Sequence, residues 1–433
     1  MMTFIAIVLI FFAGFGIPLF IIIGGIALSA FYFIIQVSPA TLFTDFFRIT
    51  SAPAMVAIPL FIFAGYLLAE SKTPRRLVNF SNALLGWLPG GLALVSLICC
   101  AVFTAFTGAS GITIVAVGAI LLPALLEEKY PEKFSLGLVT MGGGLGTLFI
   151  PCLPIIIYGV IAKTNIEELF IAGLIPGFLR IVMNLGYTTV VGVKHTSRKK
   201  FSWAEVKTSF FDIIWELPLP FLIIGGIVGG LFSAGEAAAI SAMYVLLVEL
   251  LVTRDMDIRG IGKVIIQSMK MTGAIVIILG MALALTDVFI DREVPMKVFN
   301  FISAHVESKI AFLLLLNVFL LIVGAAMDII SACVVIVPII VPVANLYGVD
   351  PVHLGIIFLA NLELGFLTPP IGMSLFISSL KFNKPLPTIF VATLPFFIIG
   401  LVGLLLITYV PDLSLFLVRL FSKSQMIDPA SLL

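Results

Sequence analysis

The chain has 433 residues, of which 61% are hydrophobic and only 11% charged, with a formal net charge of +1. Soluble proteins carry roughly a quarter charged residues, so a water-facing fold is excluded, and the near-neutral balance excludes a nucleic-acid partner or a peripheral basic anchor. The class left is an all-α polytopic membrane protein that crosses the lipid bilayer about ten or more times.

Met1-Met2-Thr3-Phe4 lacks the basic start of a cleaved signal peptide, so the first apolar run is read as a membrane segment. Residues 3–35 are interrupted by Gly14-Phe15-Gly16-Ile17-Pro18 and are read as two short helices. The stretch 37–53, with Asp45 and Arg48, is amphipathic enough to lie on the membrane surface, and a span at 54–70 follows it. From Trp87 to Leu126 the apolar run is about twice a membrane thickness. Its middle collects Thr104, Thr107, Gly108, Ser110, Gly111 and Thr113. Small and hydroxyl residues at that midpoint predict a re-entrant hairpin, assigned to 77–126, whose turn exposes backbone groups at membrane depth. A broken helix at 134–162 is interrupted by Gly142, Gly143, Gly144 and Gly146, then by Pro151 and Pro154. The next span, 169–193, contains Arg180 and runs into a basic linker, 194–216, that opens with Lys194-His195-Thr196-Ser197-Arg198-Lys199-Lys200.

After Leu217 the same programme restarts. Two short spans reach residue 252, an amphipathic stretch occupies 254–270, and a further span ends near residue 290. A second hairpin, 298–346, breaks at Gly324-Ala325-Ala326-Met327-Asp328-Ile329-Ile330-Ser331. A second broken helix, 352–380, carries Leu364-Gly365-Phe366-Leu367-Thr368-Pro369-Pro370-Ile371-Gly372. A span at 388–410 and an interfacial tail, 411–433, close the chain.

Pro123, Gly146 and Pro151 match Pro342, Gly365 and Pro370 at one separation, 219 residues, which predicts an internal duplication. Residues 1–193 and 217–410 then form two repeats, each with scaffold helices (1–70 and 217–290), a hairpin, a broken helix and a final span. An odd number of crossings per half, about five, makes the repeats inverted. The side richer in Lys and Arg is cytoplasmic, so the N-terminus is periplasmic. The first hairpin opens from the cytoplasm and the second from outside.

Inverted repeats with broken helices characterise secondary transporters, in which freed N–H groups suit a carboxylate and freed carbonyls suit a small cation such as Na⁺. The first expected Na⁺ site sets Thr107, Gly108, Ser110 and Thr113 against Gly143, Gly146 and Thr147. The second sets Asp328 and Ser331 against Glu363, Gly365 and Thr368. Ser110, Pro151, Pro369 and Pro370 are the candidate substrate contacts. Asp328 either coordinates the ion or caps the hairpin turn, and Glu363 either couples protons or anchors the break by hydrogen bonds to the opposite hairpin. Glu236, after Ser233-Ala234-Gly235, reads as a helix-start carboxylate. Cys99, Cys100, Cys152 and Cys333 read as core, and His195, His305 and His353 as solvated or interfacial.

Five strings together resemble the large membrane subunit of the tripartite ATP-independent periplasmic (TRAP) transporters. They are Ile58-Pro59-Leu60-Phe61-Ile62-Phe63-Ala64-Gly65, Gly86-Trp87-Leu88-Pro89-Gly90-Gly91, Phe106-Thr107-Gly108-Ala109-Ser110-Gly111, Leu169-Phe170-Ile171-Ala172-Gly173-Leu174-Ile175-Pro176-Gly177 and Thr368-Pro369-Pro370-Ile371-Gly372. The resemblance implies a Na⁺-coupled importer of organic acids, such as C4-dicarboxylates or sialic acid, in a bacterial inner membrane. It also implies an elevator-type transport domain and two partners, a small membrane subunit and a periplasmic substrate-binding protein. Two strings depart from the family pattern. Ile150-Pro151-Cys152 stands where a proline pair and serine are frequent, and Ile329-Ile330-Ser331 where a proline is frequent. A stand-alone sodium- or proton-coupled carrier of organic anions is the alternative. A membrane-embedded enzyme is disfavoured by the lack of a paired acid and histidine or of a nucleophile with a nearby base.

Overall fold

The computed structural model describes residues 19–35, 44, 47, 53–193 and 201–425. The expected break at 14–18, most of the surface stretch 37–53, the basic cluster 194–200 and the end of the tail lie outside the described residues.

Every regular element among the described residues is helical. The first repeat comprises α1 (Leu19–Ala30), α2 (Ala57–Glu70), α3 (Thr73–Leu85), α4 (Gly91–Thr107), α5 (Ser110–Ala116), α6 (Gly118–Glu127), α7 (Glu132–Gly142), α8 (Leu153–Ala162) and α9 (Ile166–Val193). A short α10 (Trp203–Ile213) leads into the second repeat. That repeat runs through α11 (Pro218–Val228), α12 (Ala234–Leu247), α13 (Ile258–Asp291), α14 (Val294–Ser303), α15 (Lys309–Ala326), α16 (Ile329–Leu346), α17 (Pro351–Gly365), α18 (Met373–Phe382) and α19 (Leu386–Tyr409). The last described helix is α20 (Asp412–Gln425).

The hairpins of the two repeats coincide in their limb ends. The first hairpin limb ends at Thr107 or Ala326, and the second begins at Ser110 or Ile329 and ends at Glu127 or Leu346, each pair 219 residues apart. The chain is therefore an all-α multi-pass membrane protein of two inverted repeats, each with a hairpin and a broken helix. Six of its described helices are singly long and apolar enough to cross a membrane, and two bent pairs raise the number to eight. Three of the six shorter apolar helices, α8, α17 and α18, belong to the interrupted elements α7–α8 and α17–α18, so each crossing there needs two pieces.

Four boundaries differ from the sequence reading, for physical reasons. The hairpins begin at Gly91 and Lys309, because α3 and α14 are separate helices, each with proline at its second position. The stretch 254–270 and the following span fuse into α13, whose 34 residues reach about 51 Å at 1.5 Å per residue and so outrun the hydrocarbon. Part of the linker is the helix α10, capped by Ser202, which accepts from the Glu205 N–H at 3.4 Å. Much of the tail is the helix α20, packed on α9 and α17.

Among the described residues, hydrophobic burial divides into two cores. The larger joins α1, α2, α12 and α13 to the second hairpin and to α17. The smaller holds the first hairpin limbs α4 and α6 against α7 and α19, through residues such as Leu97, Phe103, Leu121, Leu138 and Phe396. All four cysteines are free and buried. His305 is exposed, but His353 is only 1% exposed, and its Nε2 lies 3.2 Å from the Thr408 carbonyl oxygen. The interfacial reading of His353 is thus corrected: its turn of α17 packs inside the bundle beside α19 and α20.

Candidate functional site

The first hairpin turns at Gly108, where φ is +64° and the N–H bonds the Thr104 carbonyl at 2.8 Å, closing α4. Glycine is required there twice over. A side chain would strain the left-handed backbone, and a Cβ would lie 2.8 Å from the Leu153 Cβ at the start of α8. Ala109 is extended and α5 starts at Ser110, so the tip presents a carbonyl-terminated helix end and an N–H-terminated helix start side by side. From the scaffold, Gly65 of α2 approaches this tip, within 3.0 Å of the Thr107 Cα for an added Cβ.

The second tip differs chemically. Met327 and Asp328 are extended, and Asp328 takes the place of Ala109 as the residue before the second limb. Its Oδ2 accepts from the Ser331 N–H at 3.1 Å, and the Ser331 hydroxyl donates to Oδ1. The capping reading of Asp328 is therefore present in the structure. The Ala325 carbonyl accepts from the N–H groups of Ile371 and Gly372 at 3.3 and 3.2 Å, tying this tip to the second break.

Both tips face one cavity of about 640 Å³. Thr107, Gly108 and Ser110 line it from the first hairpin and Asp328, Ile329 and Ile330 from the second. Thr147, Leu153 and Pro154 contribute from the first broken helix, Phe366 and Met373 from the second, and Tyr66 and Glu70 from α2. A smaller cavity of about 300 Å³ also adjoins Asp328, lined by residues 324–328, Ser331, Ile371 and Met373. The lining offers hydroxyl, carboxylate and turn-backbone oxygens, the donor set a hard cation takes.

The remaining expected residues divide. Thr113 and Gly143 lie behind the first tip, joined through Thr104, whose Oγ1 is 2.7 Å from the Thr113 Oγ1 and donates to the Gly143 carbonyl at 3.0 Å. Gly146 packs directly on the same limb, where a Cβ would come 2.6 Å from the Thr104 Cβ. Gly365 packs on Gly324 in the same manner. Thr368 turns its hydroxyl to the Gly365 carbonyl at 2.7 Å, outside both cavities. Pro151 is buried and Pro369 and Pro370 are exposed, and none of the three lines either cavity; the peptide bonds before Pro151 and Pro370 are both cis. Cys152 is wholly buried as the residue before α8.

Glu363 lines neither of the cavities that Asp328 lines. Its carboxylate, 3% exposed, receives the Thr147 hydroxyl at 2.8 Å and the Arg180 guanidinium. Its anchor is therefore the first broken helix and α9, and not the opposite hairpin. Sequence reasoning left two participants unassigned. Arg180 is a charge in mid-span, which in a membrane helix is itself a signal of function. Thr104 lies one turn before Gly108, within the i, i+4 reach that carries hydroxyls to the same helix face. Glu236, by contrast, completes a capping box, accepting from the Ser233 N–H at 2.8 Å, as a helix-start carboxylate should.

Comparison with known proteins agrees with this architecture. The chain is 36% identical over 363 residues to the C4-dicarboxylate TRAP transporter large permease protein DctM of Pseudomonas aeruginosa, covering 83% of this chain and 85% of that one. It is 32% identical over 422 residues to the DctM of the same description from Rhodobacter capsulatus, covering 94% and 96%. Among solved structures, the YdaH transporter of Alcanivorax borkumensis superposes with a TM-score of 0.58 over 85% of this chain and 87% of that one. At 14% identity this likeness shows the fold alone. The profile of the family described as "Tripartite ATP-independent periplasmic transporter, DctM component" matches residues 5–413, and the chain belongs to that family.

Proposed function

We propose that this chain is the large membrane subunit of a sodium-coupled importer of an organic acid, a C4-dicarboxylate, sialic acid or a similar carboxylate. A periplasmic binding protein delivers the substrate, and a small membrane subunit completes the complex in a bacterial inner membrane, with the N-terminus of this chain periplasmic. The observation that carries the reading is the convergence of both hairpin tips on one cavity, with Thr107, Gly108 and Ser110 opposite Asp328. Helix starts at Ser110 and Ile329 bring N–H dipoles to that cavity, which favour a carboxylate, while hydroxyls and turn oxygens favour Na⁺. Substrate and ion would then share one lining, the arrangement that coupling needs. The hairpins and broken helices move as one body against the scaffold helices in an elevator step, with the tip-to-scaffold contact of Gly65 and Thr107 as a sliding surface.

The test is uptake of radiolabelled C4-dicarboxylates and sialic acid by proteoliposomes holding this chain, the small subunit and the binding protein. Uptake of one of them should require an inward Na⁺ gradient and all three proteins. Robust uptake by this chain alone would make it a stand-alone carrier, and uptake indifferent to replacement of Na⁺ by K⁺ would remove sodium coupling.

A further inference from the structure

Gly144 and Glu363 are equivalent positions of the two repeats, 219 residues apart, and they touch. A Cβ added to Gly144 would lie 2.7 Å from both Cγ and Oε1 of Glu363. In a two-fold arrangement, only a position close to the axis contacts its own counterpart. One carboxylate therefore sits at the pseudo-symmetry axis, with a glycine opposite that leaves it room.

Its partners are equally one-sided. Arg180 of α9 pairs with Glu363 Oε2, both side chains being 3% exposed, and the equivalent of Arg180 is Ile399. Thr147 donates to the same oxygen at 2.8 Å, and its equivalent is Phe366. Packing does not explain this asymmetry. A buried ion pair stabilises little beyond what apolar side chains of similar volume would, and Arg180 keeps its Nε without a hydrogen-bond partner among the described residues. What the pair does join is the two breaks. Glu363 stands two residues before Gly365, where α17 opens, and Thr147 follows Gly146 inside the first break and lines the shared cavity.

We propose that the Arg180–Glu363 pair is a positioning device that holds Thr147 and makes the two Na⁺ sites expected at the tips and breaks fill cooperatively. Occupation of the first break reorients the Thr147 hydroxyl. That changes its bond to Glu363, and the displacement reaches the start of the second break within two residues of α17. Arg180 fixes the carboxylate so that it transmits the change instead of rotating away. The inference rests on the sodium reading above.

The test uses the purified full-length chain in lipid nanodiscs, with its thermal midpoint titrated with NaCl, KCl replacing it at constant ionic strength. Wild type should respond with a Hill coefficient of about 2, since two coupled sites bound the coefficient at their number. Thr147→Val, and the charge-free double variant Arg180→Met with Glu363→Gln, should respond with a coefficient of about 1. The double variant should unfold near the wild-type temperature in KCl, because it leaves no unpaired buried charge. A double variant that keeps the wild-type steepness would make the pair merely structural and overturn the inference, as would a wild-type coefficient of about 1. A wild-type midpoint that does not distinguish Na⁺ from K⁺ overturns the sodium reading and this inference together.

Discussion

Gly365 rests on Gly324 so closely that a Cβ on Gly365 would lie 2.6 Å from the Gly324 Cα and 3.0 Å from the Ala325 nitrogen. The first repeat makes the same contact between Gly146 and Ala105, where the added Cβ would lie 2.5 Å from the Ala105 nitrogen. These contacts bring each broken helix onto its hairpin. The obstructing atoms are backbone, so they cannot rotate aside. Gly146→Ala and Gly365→Ala should each destabilise the protein by about 1–3 kcal/mol, the usual range for overpacking. Thermal unfolding of the purified variants checks this, and a midpoint equal to wild type in both would show that the breaks yield freely.

Asp328 combines a cap with a charge, and two substitutions separate them. Asp328→Asn keeps an equally good capping side chain, so its unfolding temperature should match wild type, while Asp328→Ala should lose about 1 kcal/mol. If the charge also serves the ion, both variants should raise the Na⁺ concentration for half-maximal uptake by about tenfold, equivalent to 1.4 kcal/mol. Identical Na⁺ dependence in wild type and Asp328→Asn would leave the residue as a cap only.

Ser110 begins the second limb of the first hairpin and lines the cavity. Ser110→Ala should weaken Na⁺ dependence of uptake without changing the fold, since alanine is at least as good inside a helix. Uptake curves against Na⁺ for this variant that superpose on wild type would take the hydroxyl out of the site.

Thr104 is wholly buried and gathers the Thr113 hydroxyl and the Gly143 carbonyl. Thr104→Val preserves shape but strands both partners away from water, an effect of about 1–3 kcal/mol. The expected result is a lower thermal midpoint, with the double variant Thr104→Val and Thr113→Val recovering part of the loss. Absence of any coupling between the two substitutions would show that the hydroxyls act separately.

Glu236 serves as a control far from the chemistry. Glu236→Gln retains the capping-box acceptor, so uptake and stability should both stay at wild-type values. A loss of Na⁺ dependence in this variant would place a transport role in α12.

The chain by itself determined its class and its repeat. Apolar length forces membrane helices, glycine, proline and hydroxyl residues at mid-run force the breaks, and Pro123, Gly146 and Pro151 fall at one fixed distance from their counterparts. Those are local signals, carried by propensity and by the need to satisfy backbone groups in lipid. The hairpin tips were legible for the same reason, down to Gly108 and Asp328. Other features were decided only by the tertiary structure. Sequence separation could not show that Glu363 pairs with Thr147 and Arg180, because that depends on which faces of α17, α9 and the first break meet across the repeats. Nor could it show that Pro151, Pro369 and Pro370 sit away from the cavity while Pro154 lines it, or that His353 is enclosed. A side chain's partner inside a bundle is set by packing between elements distant in the chain, and the period of a single helix carries no record of it.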